Sequence, residues 1–106
     1  MSVVSKNSRK VPSQQMRAVL HVLSGDPSLE ALVKPHIDFE NESILWEHIF
    51  AIPFGSGHRA AVMLAFGLWT DQLKLRSNPF SAALAMDANL QRAYLEAQAI
   101  RWGLVS

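Results

Sequence analysis

The sequence predicts an all-α protein, a compact bundle of about five helices around one central apolar helix. Apolar residues recur at the three- and four-residue spacing of a helix face in several segments. A capping residue followed by proline, as in Asp26-Pro27 and Asn78-Pro79, marks the start of a helix. The longest apolar run, residues 60–69, is about half the ~20 residues that a membrane span needs. It therefore predicts a buried helix, and we expect no contact with a membrane.

The length of 106 residues fits one domain. Residues 1–11 are polar and basic without a sustained period, so we expect a disordered basic tail there. Residues 12–106 then form a single helical domain.

The first two helices are separated by a glycine and an aspartate. We expect Ser13 to cap the first helix, Gly25 to end it in a left-handed conformation, and Asp26 to cap the second. Pro35 then stops the second helix. The apolar stripe of the first helix consists of Met16, Val19, Leu20 and Leu23.

The segment 36–52 has two interpretations. An extended linker followed by a helix from Ser43 to Ile52 is the one we favour, because no strand of matching length is available elsewhere. A short β-hairpin within residues 36–52 is the alternative.

The second half of the chain predicts three more helices. Ser56 caps the central one, which runs from His58 to about Leu75 and is apolar on nearly all sides. A short helix follows from Asn78 to Met86. The last helix is capped by Asp87 and ended by Gly103, with a stripe of Leu90, Ala93, Tyr94, Ala97 and Ile100.

Composition excludes several classes of protein. The absence of cysteine excludes disulfides, zinc–thiolate sites and thiol catalysis, and it is compatible with a cytoplasmic location. A net charge of +1 argues against nucleic-acid binding. The four histidines fall on four different segments, so we expect no metal site and no cofactor.

The best candidate site is the start of the central helix, formed by Ser56, Gly57, His58 and Arg59. Free amides at a helix start attract anions, and glycine lets a ligand approach the backbone closely. Two basic residues in the first turn oppose the helix dipole, which points to an anion-binding or partner-binding role. The alternative is a plain helix cap. We identify no catalytic residue, because the serine lacks the glycine pattern and the preceding strand of a nucleophile elbow.

Four short runs of sequence carry a resemblance: Leu23–Asp26, Asp38–Glu40, Gly55–Ala60 and Leu64–Trp69. Through these runs, the segment from about Met16 to Trp102 resembles a family of short bacterial and phage proteins, a domain of unknown function. The sequence departs from the family pattern at His58, where an acidic residue would fit better. The resemblance implies a compact accessory protein encoded on a mobile element, and it brings no catalytic residues.

We therefore expect a non-enzymatic helical module that binds another protein, such as a phage-encoded modulator of a host system. Trp102, near the end of the last helix, is the expected partner anchor, because tryptophan is enriched at binding hot spots. A small-anion-binding protein or enzyme that uses the Ser56-led helix start is the first alternative. A nucleic-acid accessory protein that uses the basic tail is the second.

Overall fold

The computed structural model of the chain describes residues 12–70 and 84–104 and confirms the all-α class. These residues form five helices, a 3₁₀ turn and a two-stranded hairpin. The helices are α1 (Gln14–Leu23), α2 (Pro27–Val33), α3 (Trp46–Phe50), α4 (Ser56–Thr70) and α5 (Ala88–Arg101). The 3₁₀ turn spans Lys34–His36, and the strands are β1 (Ile37–Asp38) and β2 (Ser43–Ile44). The disordered tail predicted for residues 1–11 lies outside the described residues, as do residues 71–83, which hold most of the predicted helix from Asn78 to Met86.

The predicted caps of α1, α2 and α5 are present. Ser13 Oγ accepts a hydrogen bond from the Met16 N–H at 3.1 Å, and Asp87 Oδ1 accepts one from the Leu90 N–H at 2.9 Å. Asp26 accepts the N–H groups of the first turn of α2, where proline occupies the first position. Each cap satisfies amides that have no partner within their own helix. Local sequence therefore sets where these three helices begin.

Gly25 has a different role from the predicted one. It does not adopt a positive φ, so the left-handed helix end expected there is wrong. A Cβ at this position would lie 2.8 Å from the Cβ of Ala93 and 3.1 Å from the carbonyl oxygen of Asn89. The absence of a side chain instead allows the end of α1 to approach α5 closely.

The segment 36–52 contains a short hairpin in residues 37–44 and then a short helix, so the β-hairpin is confirmed and the extended linker is wrong. Strands β1 and β2 pair antiparallel, with Ile37 opposite Ile44 and Asp38 opposite Ser43. The Asp38 carboxylate folds the connecting loop by accepting the N–H groups of Glu40 and Asn41, each at 3.1 Å. Ser43 thus belongs to a strand, and the helix that it was expected to cap begins only at Trp46.

The helix α4 starts two residues before the predicted position. The Gly55 carbonyl oxygen accepts the Arg59 N–H at 2.9 Å, which closes the first turn and places Ser56 inside the helix. Ser56 is therefore the first helical residue, whereas Gly55 holds the position that we expected Ser56 to take.

The core is built by α1, α4 and α5. Helix α1 packs against both α4 and α5, while α3 covers another side of α4. No polar or charged residue in the described part of the chain is fully buried. The largest fully buried side chains are Met16, Leu23, Leu29, Ile49, Leu64 and Leu90. The hydrophobic effect acting on these apolar faces holds the bundle together.

Candidate functional site

The predicted site at the start of α4 is engaged by the protein itself. His58 lies 2.8 Å from Asp26, measured from Nε2 to Oδ2, and both side chains are partly buried. An ionised carboxylate only accepts hydrogen bonds, so Nε2 carries the proton and donates. The His58 ring also meets Phe54 edge-on, with ring centroids 6.3 Å apart. The contact with a carboxylate explains why a basic residue occurs in the first turn of this helix.

The contact with His58 also changes the pKa of Asp26. The hydrogen bond from His58 lowers the pKa of Asp26 below its ordinary value of 3.8. Burial raises the pKa in opposition, and the backbone N–H groups of Leu29 and Ser28 lower it further. Asp26 is therefore held ionised between two helix starts, as the cap of α2 and as the partner of α4.

The other residues of this site differ in how accessible they are. Ser56 and Arg59 are exposed, but a Cβ on Gly57 would lie 2.9 Å from the carbonyl oxygen of Ala85. This carbonyl oxygen and the carboxylate of Asp26 both lie beside the start of α4. Both oxygens carry negative charge, so both disfavour an incoming anion at this helix start.

A second surface is the outer face of α5. Leu95 is 70% exposed and Trp102 is 68% exposed. Residues seven apart lie on the same side of a helix, about 10 Å from each other. Ala99 lies between them and Arg92 precedes them on the same face. The outer face of α5, defined by Arg92, Leu95, Ala99 and Trp102, is an apolar stripe with a cation at one end.

The end of α5 holds Trp102 in an ordered turn. Gly103 has a φ of +77°, its N–H donates to the Ile100 carbonyl oxygen at 3.0 Å, and the Leu104 N–H donates to Ala99 at 2.9 Å. This pair of bonds is a Schellman motif, which only glycine adopts without strain. The predicted glycine end of this helix is therefore confirmed, and the exposed Trp102 is attached to a rigid backbone.

A third feature is an open groove of about 420 Å³ between α1, α2, the hairpin loop and α5. Its lining is mostly apolar, and Leu20, Phe39 and Ile100 supply that surface. Phe39 stands on the hairpin loop and is 47% exposed. A groove of this volume lies within the range of small-molecule sites.

The basic side chains of the groove differ in whether they have a carboxylate partner. His21 is paired with Glu96 at 2.6 Å, and Lys34 is paired with Glu30 at 3.7 Å. Arg17 also lines the groove, its Nε is buried, and no described residue accepts a hydrogen bond from that Nε. Arg17 is thus the cation of this groove that has no carboxylate partner among the described residues, and its charge remains available to a ligand.

The histidines do not gather into a metal centre. The His36 and His48 rings lie 5.8 Å apart, while His21 and His58 each face a carboxylate elsewhere. Within residues 12–70 and 84–104, no three histidine, aspartate or glutamate side chains are grouped for a metal ion. Nor does any helix there combine the length and the hydropathy of a membrane span.

Comparison of the chain with protein-family models, with curated proteins and with solved structures finds no match.

Two of these features could not be read from the sequence. The Asp26–His58 contact joins residues 32 positions apart, and the groove joins four separate elements. The one available signal for the contact was the basic residue in the first turn of α4. No such signal indicates the groove, because Arg17 lies on the polar side of α1, where basic residues are common.

Proposed function

We propose that this protein is a non-enzymatic helical module that binds another protein through the outer face of α5. The observation that carries the proposal is the exposure of Leu95 and Trp102 on one side of a single helix. Burying an apolar side chain of this size contributes about 1.5–3 kcal/mol, so water leaves this stripe readily when a partner covers it. Neither side chain belongs to the hydrophobic core or packs against it.

The partner is expected to present an apolar groove with an acidic residue at one end. Arg92 lies one turn before Leu95 and is exposed. The carboxylate that sequence spacing offers to it, Glu96, accepts from His21 instead. The positive charge of Arg92 thus favours one orientation of the partner on an otherwise apolar surface.

In keeping with the resemblance to bacterial and phage proteins, we propose that the partner belongs to a bacterial host system that this protein modulates in the cytoplasm. The lack of cysteine supports that location, since cysteine-free chains are compatible with a reducing compartment. A rigid helix end with a tryptophan supports the binding mode, because a pre-ordered anchor loses little entropy on association.

The test compares proteins retained from an extract of the native host by three versions of the chain. These are the wild type, the double variant Leu95→Ser/Trp102→Ala, and the control Leu32→Ala, which alters an exposed leucine on α2. We expect one protein to be retained by the wild type and by the control but not by the double variant. That protein, once purified, should bind Trp102→Ala about 30-fold more weakly in calorimetry, which corresponds to a hot spot of about 2 kcal/mol.

Retention of the same proteins by the wild type and the double variant would contradict the proposal. So would concentration-dependent dimerisation of the wild type that the double variant abolishes, because the stripe would then bind a second copy of the chain. Analytical ultracentrifugation distinguishes that outcome.

A further inference from the structure

The groove beside α1 is separate from the outer face of α5 and suggests a second binding site. Its apolar lining comes from three elements, with Leu20 on α1, Phe39 on the hairpin loop and Ile100 on α5. A convex apolar body fits such a surface, because the three side chains surround it from different directions. The groove is open on one side, so a ligand enters without displacing a helix.

The charge pattern decides which end group the ligand carries. His21 and Lys34 already have carboxylate partners at 2.6 Å and 3.7 Å. Arg17 has none among the described residues, and its Nε is buried without an acceptor. The groove therefore has one unmatched cation, and a ligand with one negative charge balances it.

The geometry of the guanidinium favours a carboxylate. The two terminal nitrogens of the guanidinium present N–H donors in one plane, which match the two oxygens of a carboxylate. Glu30 also lines the groove and repels additional negative charge, which disfavours the dianion of inorganic phosphate.

We infer that this groove binds a small amphipathic carboxylate, whose apolar body lies against Leu20, Phe39 and Ile100 and whose carboxylate is held by Arg17. The inference assigns the anion to a different place from the start of α4, and the experiment separates the two. It does not depend on the protein partner proposed for the outer face of α5.

The experiment titrates the full chain with octanoate and records amide chemical shifts. Octanamide, the neutral analogue, and inorganic phosphate are titrated in parallel. We expect octanoate to shift the amides of Leu20, His21 and Phe39 in a saturable manner. Octanamide and phosphate should bind at least about tenfold more weakly, since a charge-assisted bond to arginine is lost or opposed.

The variants are Arg17→Gln, Phe39→Ala and the control Arg59→Gln, which removes the exposed arginine at the start of α4. Arg17→Gln should weaken octanoate binding about 10- to 100-fold. Phe39→Ala, a change at an exposed loop position that leaves the core intact, should weaken octanoate and octanamide alike. Arg59→Gln should leave both unchanged.

Three results would overturn the inference. They are the absence of saturable shifts with octanoate, equal affinity for octanoate and octanamide, and shifts centred on Gly57 and Arg59 that Arg59→Gln removes. Retained affinity in a folded Arg17→Gln chain would also overturn it, with circular dichroism as the check on folding.

Discussion

At the scale of single residues, Asp26 takes part in two interactions at once. Its Oδ1 accepts the N–H of Ser28 at 2.9 Å, and its Oδ2 accepts from His58 at 2.8 Å. The first bond caps α2, and the second ties α4 to it. A single ionised side chain thus connects two helix starts that are far apart in sequence, which makes its protonation a measurable property of the fold.

The substitution Asp26→Asn should lower the free energy of unfolding by roughly 1 kcal/mol at pH 7, because asparagine keeps the cap but lacks the charge that favours His58. The pKa of Asp26 in the folded chain lies below the ordinary 3.8. Its contribution is therefore present above that pH and is lost as the pH falls through the folded-state pKa. Urea unfolding from pH 7 down to pH 2.5 should show the difference between wild type and variant shrinking below about pH 4.

The control is the same substitution in a His58→Gln background, where we expect the pH-dependent difference to be much smaller. A difference that stays constant across the whole pH range would show that the charge of Asp26 does not stabilise the fold.

At the scale of elements, the two ends of a helix depend on different residues. Helix α5 begins at the carboxylate of Asp87 and ends at the left-handed Gly103, whereas α4 begins at Gly55 without a positive φ. Gly103 is needed for its backbone conformation, while Gly55 has open space where a Cβ would lie. These two glycines therefore form a matched pair for a test.

Gly103→Ala should lower the free energy of unfolding by about 1–2 kcal/mol, the cost of placing an L-residue in the left-handed region. Gly55→Ala should change it by less than about 0.5 kcal/mol. Guanidinium unfolding followed by circular dichroism measures both. Equal effects of the two substitutions would mean that the turn at the end of α5 does not contribute to stability.

Helix starts at Ser13, Asp26 and Asp87 were predictable because a cap uses residues within one turn of each other. The sequence favours a linker over the hairpin because it offers no second run of matching length, and the strand that pairs with β1 is only two residues long. Gly25 was read as a turn signal, whereas its contact partners on α5 lie far along the sequence.

The candidate sites also contain features that the sequence predicts and features that depend on tertiary packing. Trp102 is exposed, as its expected role of partner anchor near the end of the last helix requires. The lack of a partner for Arg17 Nε is not predictable from the sequence, because the distribution of hydrogen bonds and ion pairs around a groove depends on tertiary packing. Sequence spacing paired Arg92 with Glu96, yet Glu96 accepts from His21 on another helix.

At the scale of the whole molecule, the buried side chains that the structure describes are all hydrophobic, and most of them lie on α1, α4 and α5. Leu64 is 0% exposed, whereas Leu95 belongs to the outer face of α5. The two leucines are chemically identical and differ only in burial, so they separate the contribution of the core from that of the binding surface.

Leu64→Ala should reduce the free energy of unfolding by about 2–5 kcal/mol through lost burial and a cavity. Leu95→Ala should change it by less than about 0.5 kcal/mol. Thermal and denaturant unfolding of the two variants beside the wild type provide the measurement. A large effect of Leu95→Ala would show that this side chain stabilises the fold and would remove it from the proposed partner surface.

The packing of α1 against α5 has a consequence for biosynthesis. Ala88 follows Leu23 by 65 residues, and a ribosome requires roughly 3–13 s to add them at about 5–20 residues per second. During that interval, the apolar side of α1 has no α5 to cover it, and the chain depends on α4 alone or on a chaperone. Nascent chains arrested before residue 88 should therefore bind chaperones and be cleaved by proteases, whereas chains released after α5 has emerged should resist both.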